Sequence, residues 1–368
     1  MALLAQEVKL GKKMSYTITV KPIDHSFTVE DDQTILDAAL RSGLYIPHAC
    51  GHGLCGTCKV EVTSGEVDHG DASPFALMDV ERDEGRCLAC CAIPQSDLII
   101  EADIDEDPDG RSIPLKDFKG IVTKITNLTP TIKAVFIEIK NNTINFQAGQ
   151  YVNISWQGLD RPRAFSLANA PSENKLIELN IRIVPGGQAT EFIHNKLQVG
   201  DEITVTGPLG RFFIRKSDHQ PILLIAGGSG LSSPRSMILD LLKTDGDTRL
   251  ITLVYGARNL EELYYHNEFI ELKKSFPNFQ YFPSLSDPTP ANDWNGSKGF
   301  VNDVAYQIFK GNLRGHKAYL CGPPPMIESC IRTLIKGRLY ERDIYIEKFI
   351  SASDASQLQN RSPLFKNI

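Results

Sequence analysis

The hydrophobic rhythm of this chain changes twice along its length. Near the N-terminus, Tyr16-Thr17-Ile18-Thr19-Val20 alternates polar and apolar side chains with period two, the pattern of a half-buried strand, and a second such run is centred on Phe27 and Val29. Ile35, Leu36, Ala39 and Leu40 then recur at helical spacing, with Asp31 and Asp32 as candidate caps before them and Gly43 as the stop. Val60 and Val62 mark a further strand, closed by a Ser64-Gly65 turn. Strands bracketing one helix predict a small α+β roll.

The stretch from Asp105 to Pro114 is acidic, carries Pro and Gly, and predicts a linker over 105–116. Beyond it, residues 117–217 read as short strands between turns, among them 134–139, 151–154 and 179–183. Such regular short strands predict an antiparallel barrel. From 218 the rhythm becomes strand, Gly-rich loop, helix. Strands are expected near 222–225, 251–255, 279–282, 318–320 and 344–346, with helical stretches such as 237–242 and 261–272 between them. Alternating β and α predicts a parallel, doubly wound sheet. The expected organisation is a multidomain one: 14–104, a linker over 105–116, 117–217, 218–350 and a polar tail over 351–368. Met14 offers an alternative start.

Length agrees with this, since 368 residues suit two or three domains. With 42% hydrophobic residues and no apolar run near the ~18 that a membrane span needs, a soluble chain is expected. Residues 1–7 lack the basic start of a signal peptide, which points to the cytoplasm. The net charge of −6 argues against a nucleic-acid partner. That charge is uneven: residues 14–103 hold 16 acidic and 5 basic side chains, a net −11, so the rest of the chain is mildly basic.

The eight cysteines are uneven too, with six between Cys50 and Cys91 and the others at Cys321 and Cys330. Clustered cysteines without a secretory signal are metal ligands or catalytic groups more often than a disulfide framework. Cys50-x4-Cys55-x2-Cys58 has plant-type [2Fe–2S] spacing, and a fourth thiolate would arrive from a later segment. Gly51, Gly53 and Gly56 suit a tight loop whose amides approach sulfur. Structural zinc is the alternative, although zinc ribbons show paired two-residue knuckles that are missing here. Cys50-Gly51-His52 is reminiscent of a Rieske centre, but no Cys-x2-His follows. Cys87, Cys90 and Cys91 compete for the fourth position.

Further on, Arg163-Ala164-Phe165-Ser166 offers a cation for a pyrophosphate, an aromatic wall and a small hydroxyl, which together suit a flavin. Arg182, and then Gly186-Gly187-Gln188-Ala189-Thr190 opening a helix, could receive its phosphates. In the last region, Gly227-Gly228-Ser229-Gly230 joins a strand to a helix, the arrangement that cradles a dinucleotide. Cys321-Gly322-Pro323-Pro324 ends a second strand, where open α/β sheets bind ligands. Glu347-Lys348-Phe349 closes the last strand.

In this order the motifs resemble the reductase component of multicomponent bacterial oxygenases over residues 15–350. Those proteins join a plant-type ferredoxin to a ferredoxin–NADP⁺ reductase-like module. The loop from Ala49 to Cys58, the stretch from Ala72 to Asp79, that from Ala164 to Asn169, and that from Cys321 to Met326 look most like the phenol hydroxylase group. The segment Leu88-Ala89-Cys90-Cys91-Ala92-Ile93-Pro94 resembles the plant-type ferredoxin ending, whose ligand lies four residues before the proline, so Cys90 joins Cys50, Cys55 and Cys58 as the implied metal ligands.

The resemblance further implies that Arg163, Phe165 and Ser166 contact FAD, while Arg182, Gly187 and Thr190 hold its phosphates. Gly228, Ser229, Gly230, Gly322 and Pro323 would face the nicotinamide nucleotide, with Ser166, Cys321, Glu347 and Phe349 around hydride transfer. Two departures stand out: Phe165 replaces a common Tyr, and the usual loop proline falls at Ser233, with Pro234 after it. The implied activity is an NADH-dependent reductase, monomeric, with FAD and a [2Fe–2S] cluster as electron carriers and an oxygenase as acceptor. The ring-hydroxylating dioxygenase reductases are the near alternative. A non-catalytic metal-binding or nucleotide-sensing protein is the distant one, and a visible spectrum of the purified chain separates the two: no flavin and no iron–sulfur absorbance would end the enzyme reading.

NADH is expected over NADPH, because the strand ending Val254-Tyr255-Gly256-Ala257 is followed by one cation, Arg258, and then by Glu261 and Glu262. Carboxylates at short range disfavour a dianionic 2′-phosphate. Steady-state kcat/KM should therefore be higher with NADH, and the reverse order would overturn this reading of the segment.

Overall fold

A computed structural model describes residues 15–104, 107–287 and 294–349. Met14, Asp105 and Glu106 of the expected linker, and the tail 351–368 lie outside the described residues. The chain divides into two compact units, Met1–Leu115 and Lys116–Ile368.

In the first unit, strands β1 (Ser15–Lys21), β2 (His25–Glu30), β3 (Lys59–Ser64), β5 (Arg86–Leu88) and β7 (Leu98–Glu101) form one sheet in the order β2-β1-β7-β3-β5. The short β4 (Val67–Asp68) pairs with β6 (Ile93–Pro94). Helix α1 (Ile35–Ser42) packs Ile35, Leu36, Ala38 and Ala39 into a core with Ile18, Val20, Val29 and Ile100, and α2 (Asp79–Asp83) is a surface turn. The cap of α1 is neither of the expected aspartates. Thr34 takes that place, its hydroxyl accepting from the Asp37 amide at 3.3 Å, while Asp32 sits in a left-handed turn at φ 62°. Tertiary contacts explain the choice: the amides of Ile35 and Leu36, which a helix start leaves unpaired, donate to the carbonyls of Ala92 and Ala89 at 3.0 and 2.8 Å. Gly43 ends the helix at φ 87°. The close of the expected linker is tied to this unit, the Ser112 hydroxyl donating to the Gly43 carbonyl and the Leu115 amide to the Leu40 carbonyl.

The second unit begins with six antiparallel strands: β8 (Lys116–Asn127), β9 (Ile132–Ile139), β10 (Tyr151–Ser155), β11 (Arg163–Ser166), β12 (Leu176–Arg182) and β13 (Glu202–Leu209). Their order is β11-β10-β13-β8-β9-β12, and a bridge between Leu167 and Leu179 brings the two edges together, closing a barrel around Val122, Ile137, Val152, Leu179 and Val205. Helix α3 (Gln188–Asn195) follows β12.

Parallel strands β14 (Ile222–Gly227), β15 (Ile251–Ala257), β16 (Phe279–Leu285), β17 (Ser297–Lys298), β18 (Lys317–Gly322) and β19 (Ile344–Lys348) complete the unit. They run β17-β16-β15-β14-β18-β19, with α4 (Ser232–Leu239), α5 (His266–Ser275), α6 (Val301–Ile308) and α7 (Pro324–Lys336) as connections. The chain leaves β14 for β15 on one side and reaches β18 on the other, so the switch point lies between the ends of β14 and β18. The edge strand β17 is too short to show a period. The helix expected over 261–272 is broken: a 3₁₀ turn at Leu260–Glu262 stops, Tyr265 turns left-handed at φ 54°, and α5 starts at His266. The break lets both tyrosines turn inward, the Tyr264 hydroxyl donating to the Gly228 carbonyl at 3.2 Å and the Tyr265 hydroxyl to Glu178. Around the displaced proline, a 3₁₀ turn over Gly228–Leu231 precedes α4, and Pro234 falls in the first helical turn, where its missing N–H leaves no bond unmade.

Candidate functional sites of the two units

In the first unit the loop from Cys50 to Cys58 turns on Gly51, Gly53 and Gly56, all left-handed at φ 71–79°. A side chain at Gly53 would come within 2.7 Å of the Cys91 sulfur and 3.1 Å of the Asp71 carbonyl, so this position requires glycine. The Gly53 amide donates to Cys90 Sγ at 3.3 Å, and the Leu54 amide to Cys50 Sγ at 3.4 Å. The segment carrying Cys90 is held by the two α1 amides that donate to Ala89 and Ala92.

The thiols lie close enough to shift one another's ionisation: Cys50 neighbours Cys55, and Cys90 neighbours both Cys58 and Cys91. Burial opposes ionisation of Cys55, but hydrogen bonds from Thr57 and Cys50 outweigh it and lower its pKa. The hydrogen bond from Cys58, helped by the Gly53 amide, draws Cys90 down to about 6, and Cys58 is raised in turn. Among the described residues no three Cys, His, Asp or Glu side chains converge as one metal ion would require. A glycine loop with amides directed at the Cys50 and Cys90 sulfurs fits a cluster held by thiolates.

The other thiols differ. Burial pushes Cys87 up to about 12, and it packs fully buried in the core. Burial and the neighbouring Cys90 push Cys91 up to about 12, although its sulfur lies 3.7 Å from that of Cys90. His52 is an exposed loop residue.

In the second unit, Arg163 on β11 reaches the Asp160 carboxylate at 2.8 Å and the Arg161 carbonyl at 2.6 Å. Phe165 is half-buried against the barrel core, and Ser166 is buried opposite Tyr151. Gly187 caps α3; its Cβ would strike Thr190 Oγ1 at 2.8 Å and the Val184 carbonyl at 2.9 Å. Thr190 spends its hydroxyl on this turn, accepting from the Val184 amide at 3.0 Å and facing the Gly187 carbonyl at 3.2 Å. Thr190 thus shapes the turn that presents the helix start. Arg182 ends β12 beside the nucleotide loop, where a Cβ on Gly228 would lie 3.4 Å from its Nη1. A guanidinium there has the geometry to meet a phosphate with two parallel hydrogen bonds.

At the switch point, Gly230 meets the second loop at backbone distance. An added Cβ would be 2.4 Å from the Cys321 carbonyl and 2.6 Å from Gly322 Cα. Cys321, fully buried, stands in register between Ala226 and Glu347. Burial, and then the Glu347 charge, push its thiol well above the ordinary range. Ser233 Oγ adjoins this thiol and, among the described residues, is a buried hydroxyl without a hydrogen-bond partner of good geometry. Burial raises the Glu347 carboxyl to about 7. The Phe349 amide donates to the Gly322 carbonyl at 3.0 Å, which holds its half-buried ring near this end of the sheet. Pro323 precedes α7. The glycine cradle at the switch point fits a bound dinucleotide, and the arginines with the α3 start fit a second one on the barrel.

One expectation is corrected. Glu262 does not face the end of β15; its Oε2 accepts from Thr131 and Thr129 of the barrel at 2.6 and 3.0 Å, fixed by the turn that Asn259 caps. Glu261 is the exposed carboxylate there, beside exposed Arg258. Sequence reasoning also missed Arg235, Glu178 and Tyr265, which carry no motif signal because their partners lie far away in the chain.

Comparison with known proteins agrees with the two halves. Residues 18–95 match the 2Fe-2S iron-sulfur cluster binding domain, 119–214 the oxidoreductase FAD-binding domain and 224–332 the oxidoreductase NAD-binding domain. The chain is 54% identical to the phenol hydroxylase P5 protein of Acinetobacter pittii (strain PHEA-2) and 56% identical to the phenol 2-monooxygenase reductase component DmpP of Pseudomonas sp. (strain CF600). Each alignment covers 96% of this chain and 100% of the relative. Among solved structures, the Amycolatopsis cytochrome P450 reductase GcoB superposes with a TM-score of 0.80 at 35% identity, covering 92% of this chain and 99% of that one.

The thiol arrangement generates a test. Cys90→Ser should abolish or severely perturb the visible iron–sulfur spectrum, whereas Cys87→Ser and Cys91→Ser should leave it largely intact. Loss with Cys91→Ser but not with Cys90→Ser would move the fourth ligand by one residue.

Proposed function

The chain belongs to the reductase components of multicomponent bacterial oxygenases, and from that membership we propose that its acceptor is the hydroxylase of a phenol or related aromatic monooxygenase. The protein is an NADH-dependent oxidoreductase whose carriers are FAD and a [2Fe–2S] cluster and whose electrons go to an oxygenase component. When bound, FAD supplies the exchange between two-electron and one-electron transfer that joins a nicotinamide to an iron–sulfur cluster. The observation that carries this reading is a tight glycine loop whose Gly53 and Leu54 amides donate to the Cys90 and Cys50 sulfurs, on the same chain as a glycine cradle set against Cys321.

The chain's own residues divide the work. Cys50, Cys55, Cys58 and Cys90 would hold the cluster, with the Gly53 and Leu54 amides directed at its sulfurs. Hydrogen bonds to ligand sulfur favour added negative charge and so ease reduction. Arg163 and Arg182 would neutralise phosphates of bound nucleotides, and Ser166 would present its hydroxyl to the flavin ring. Gly228, Ser229 and Gly230 would cradle the NADH pyrophosphate, with Cys321 and Glu347 beside its reactive ring and Phe349 shielding the flavin from water. Phenol as the acceptor's substrate is supported by the two relatives named above. Among the described residues no helix is long and apolar enough to cross a membrane. We assign a monomer in the cytoplasm.

The test is direct. Purified protein should show flavin and iron–sulfur absorbance, bleach with NADH, and support oxygen-dependent phenol hydroxylation when mixed with a phenol-oxidising hydroxylase. Bleaching without support of that hydroxylase would refute the proposed acceptor.

Two further outcomes follow from charge. Residues 14–103 carry a net −11, and Phe75 and Leu54 stand exposed on neighbouring segments, since the Ser73 amide donates to the Gly53 carbonyl at 3.0 Å. An acidic unit with exposed apolar side chains suits a basic partner surface. Electron delivery to the hydroxylase should slow as salt rises, while NADH oxidation by a small neutral acceptor changes little; equal sensitivity would place the effect elsewhere. The second concerns Glu347, raised by burial from its ordinary 4.5 to about 7. The folded state holds this proton more tightly than the unfolded one, so stability falls as pH rises through that interval and is level above it. Thermal melts across the interval should show that slope in the wild type and a shallower one in Glu347→Gln.

A further inference from the structure

Arg235 is a buried cation at the seam between the barrel and the nucleotide sheet, outside every nucleotide-binding motif. Its Nε and Nη2 form a fork on Glu268 of α5 at 2.7 and 3.1 Å. Its Nη1 donates to Glu178 of β12 at 2.9 Å and to the Ala168 carbonyl at 2.8 Å. The guanidinium lies 4.1 Å from the Tyr265 ring centre, and the Tyr265 hydroxyl donates to the other Glu178 oxygen, which also accepts from Asn180 at 2.8 Å. One residue on, the Ser236 hydroxyl donates to the Asn169 carbonyl at 2.6 Å.

The two ends of this group are the two sides of the reaction. Ala168 lies two residues beyond Ser166, the hydroxyl read as facing the flavin. Arg235 lies on the first turn of α4, directly after the Gly228–Leu231 turn that packs on Cys321. All eight residues of that helix are buried and it continues directly from the turn, so a displacement of the helix relative to the barrel carries the cradle with it. We propose that Arg235 is a positioning residue for hydride transfer: by bonding the Ala168 carbonyl and Glu178 on one side and Glu268 on the other, it sets the distance between the flavin strand and the nicotinamide loop. Arginine is required because one planar fork meets three acceptors in different directions, whereas an ammonium group on a flexible stem meets them as a point charge.

This rests on the reading of Ser166 and the glycine loop given above. A misplacement of about 1 Å between reactants costs up to roughly 100-fold in rate, which sets the expected scale. In Arg235→Lys holoenzyme, FAD content and NADH affinity should stay within about twofold of wild type, while NADH-driven flavin bleaching in rapid mixing slows about 10-fold to 100-fold. The long-wavelength charge-transfer absorbance between reduced flavin and nicotinamide, which reports ring overlap rather than turnover, should weaken in parallel. Ser236→Ala removes one neutral bond of the same seam without stranding a buried charge, and should show a smaller loss of the same two signals. A merely structural role predicts lower FAD retention or melting temperature with bleaching rate and charge-transfer absorbance unchanged in the molecules that keep FAD; that result in either variant overturns the proposal. Should Arg235→Lys fail to fold, Ser236→Ala decides alone. A wild-type protein whose flavin is not bleached by NADH would refute the reductase reading instead.

Discussion

A buried guanidinium has to be paired where it stands, and the second unit is arranged around that requirement at Arg235. Its partners come from the barrel and from the nucleotide sheet, so the cation is satisfied only when both are in place. Removing one partner of such a group typically costs ~3–5 kcal/mol, because the remaining charge stays buried. The break before α5 belongs to the same arrangement. Tyr265 adopts a strained left-handed conformation so that its ring covers the guanidinium and its hydroxyl reaches Glu178. Asn169 adds order on the barrel side, its amide donating to the carbonyls of Ala170, Glu173 and Leu176. The loop after Ser166 is thereby held from both directions.

The first unit meets a different constraint. Sulfur ligands for two irons must face one another in a small space, and backbone amides must reach them. Left-handed glycines allow the loop to turn that tightly, and Gly53 sits so close to Cys91 and Asp71 that no side chain fits. The fourth thiol is brought in by a helix start: amides that α1 cannot pair internally hold the carbonyls on either side of Cys90. One set of unsatisfied donors therefore both caps a helix and holds the segment that carries Cys90. The structure also separates three cysteines that are nearly adjacent in the chain. Cys87 is core, Cys90 accepts from the Gly53 amide, and the Cys91 sulfur lies alongside at 3.7 Å.

Much of this was legible in advance. The period-two runs, the Gly43 stop, the barrel, and the alternation of strand and helix after 218 follow from the pattern of apolar positions. The cysteine spacing and the order of the glycine loops pointed to iron–sulfur, flavin and nicotinamide binding. The errors have a common source. Asp31 and Asp32 are sound caps by local chemistry, but Thr34 is the position from which the next two amides reach Ala92 and Ala89. Glu261 to Leu272 reads as one helix by periodicity, yet two tyrosines are worth more to the fold turned inward. Glu262 reads as a charge at a nucleotide pocket until Thr129 and Thr131, some 130 residues earlier, take its carboxylate.

What depends on neighbours along the chain could be read from the residues alone: strand and helix periods, turns that need glycine, the spacing of three thiols, and the acidity of the first unit. What depends on groups far apart in the chain came from the three-dimensional arrangement: that the Gly53 amide meets the Cys90 sulfur, that Ser233 is buried beside Cys321, and that Arg235 joins Ala168, Glu178 and Glu268. The reason is physical. Periodicity is a property of local geometry, whereas the cost of burying a polar or charged group is set by whatever the fold places around it, and that is not written in the residue's own neighbourhood.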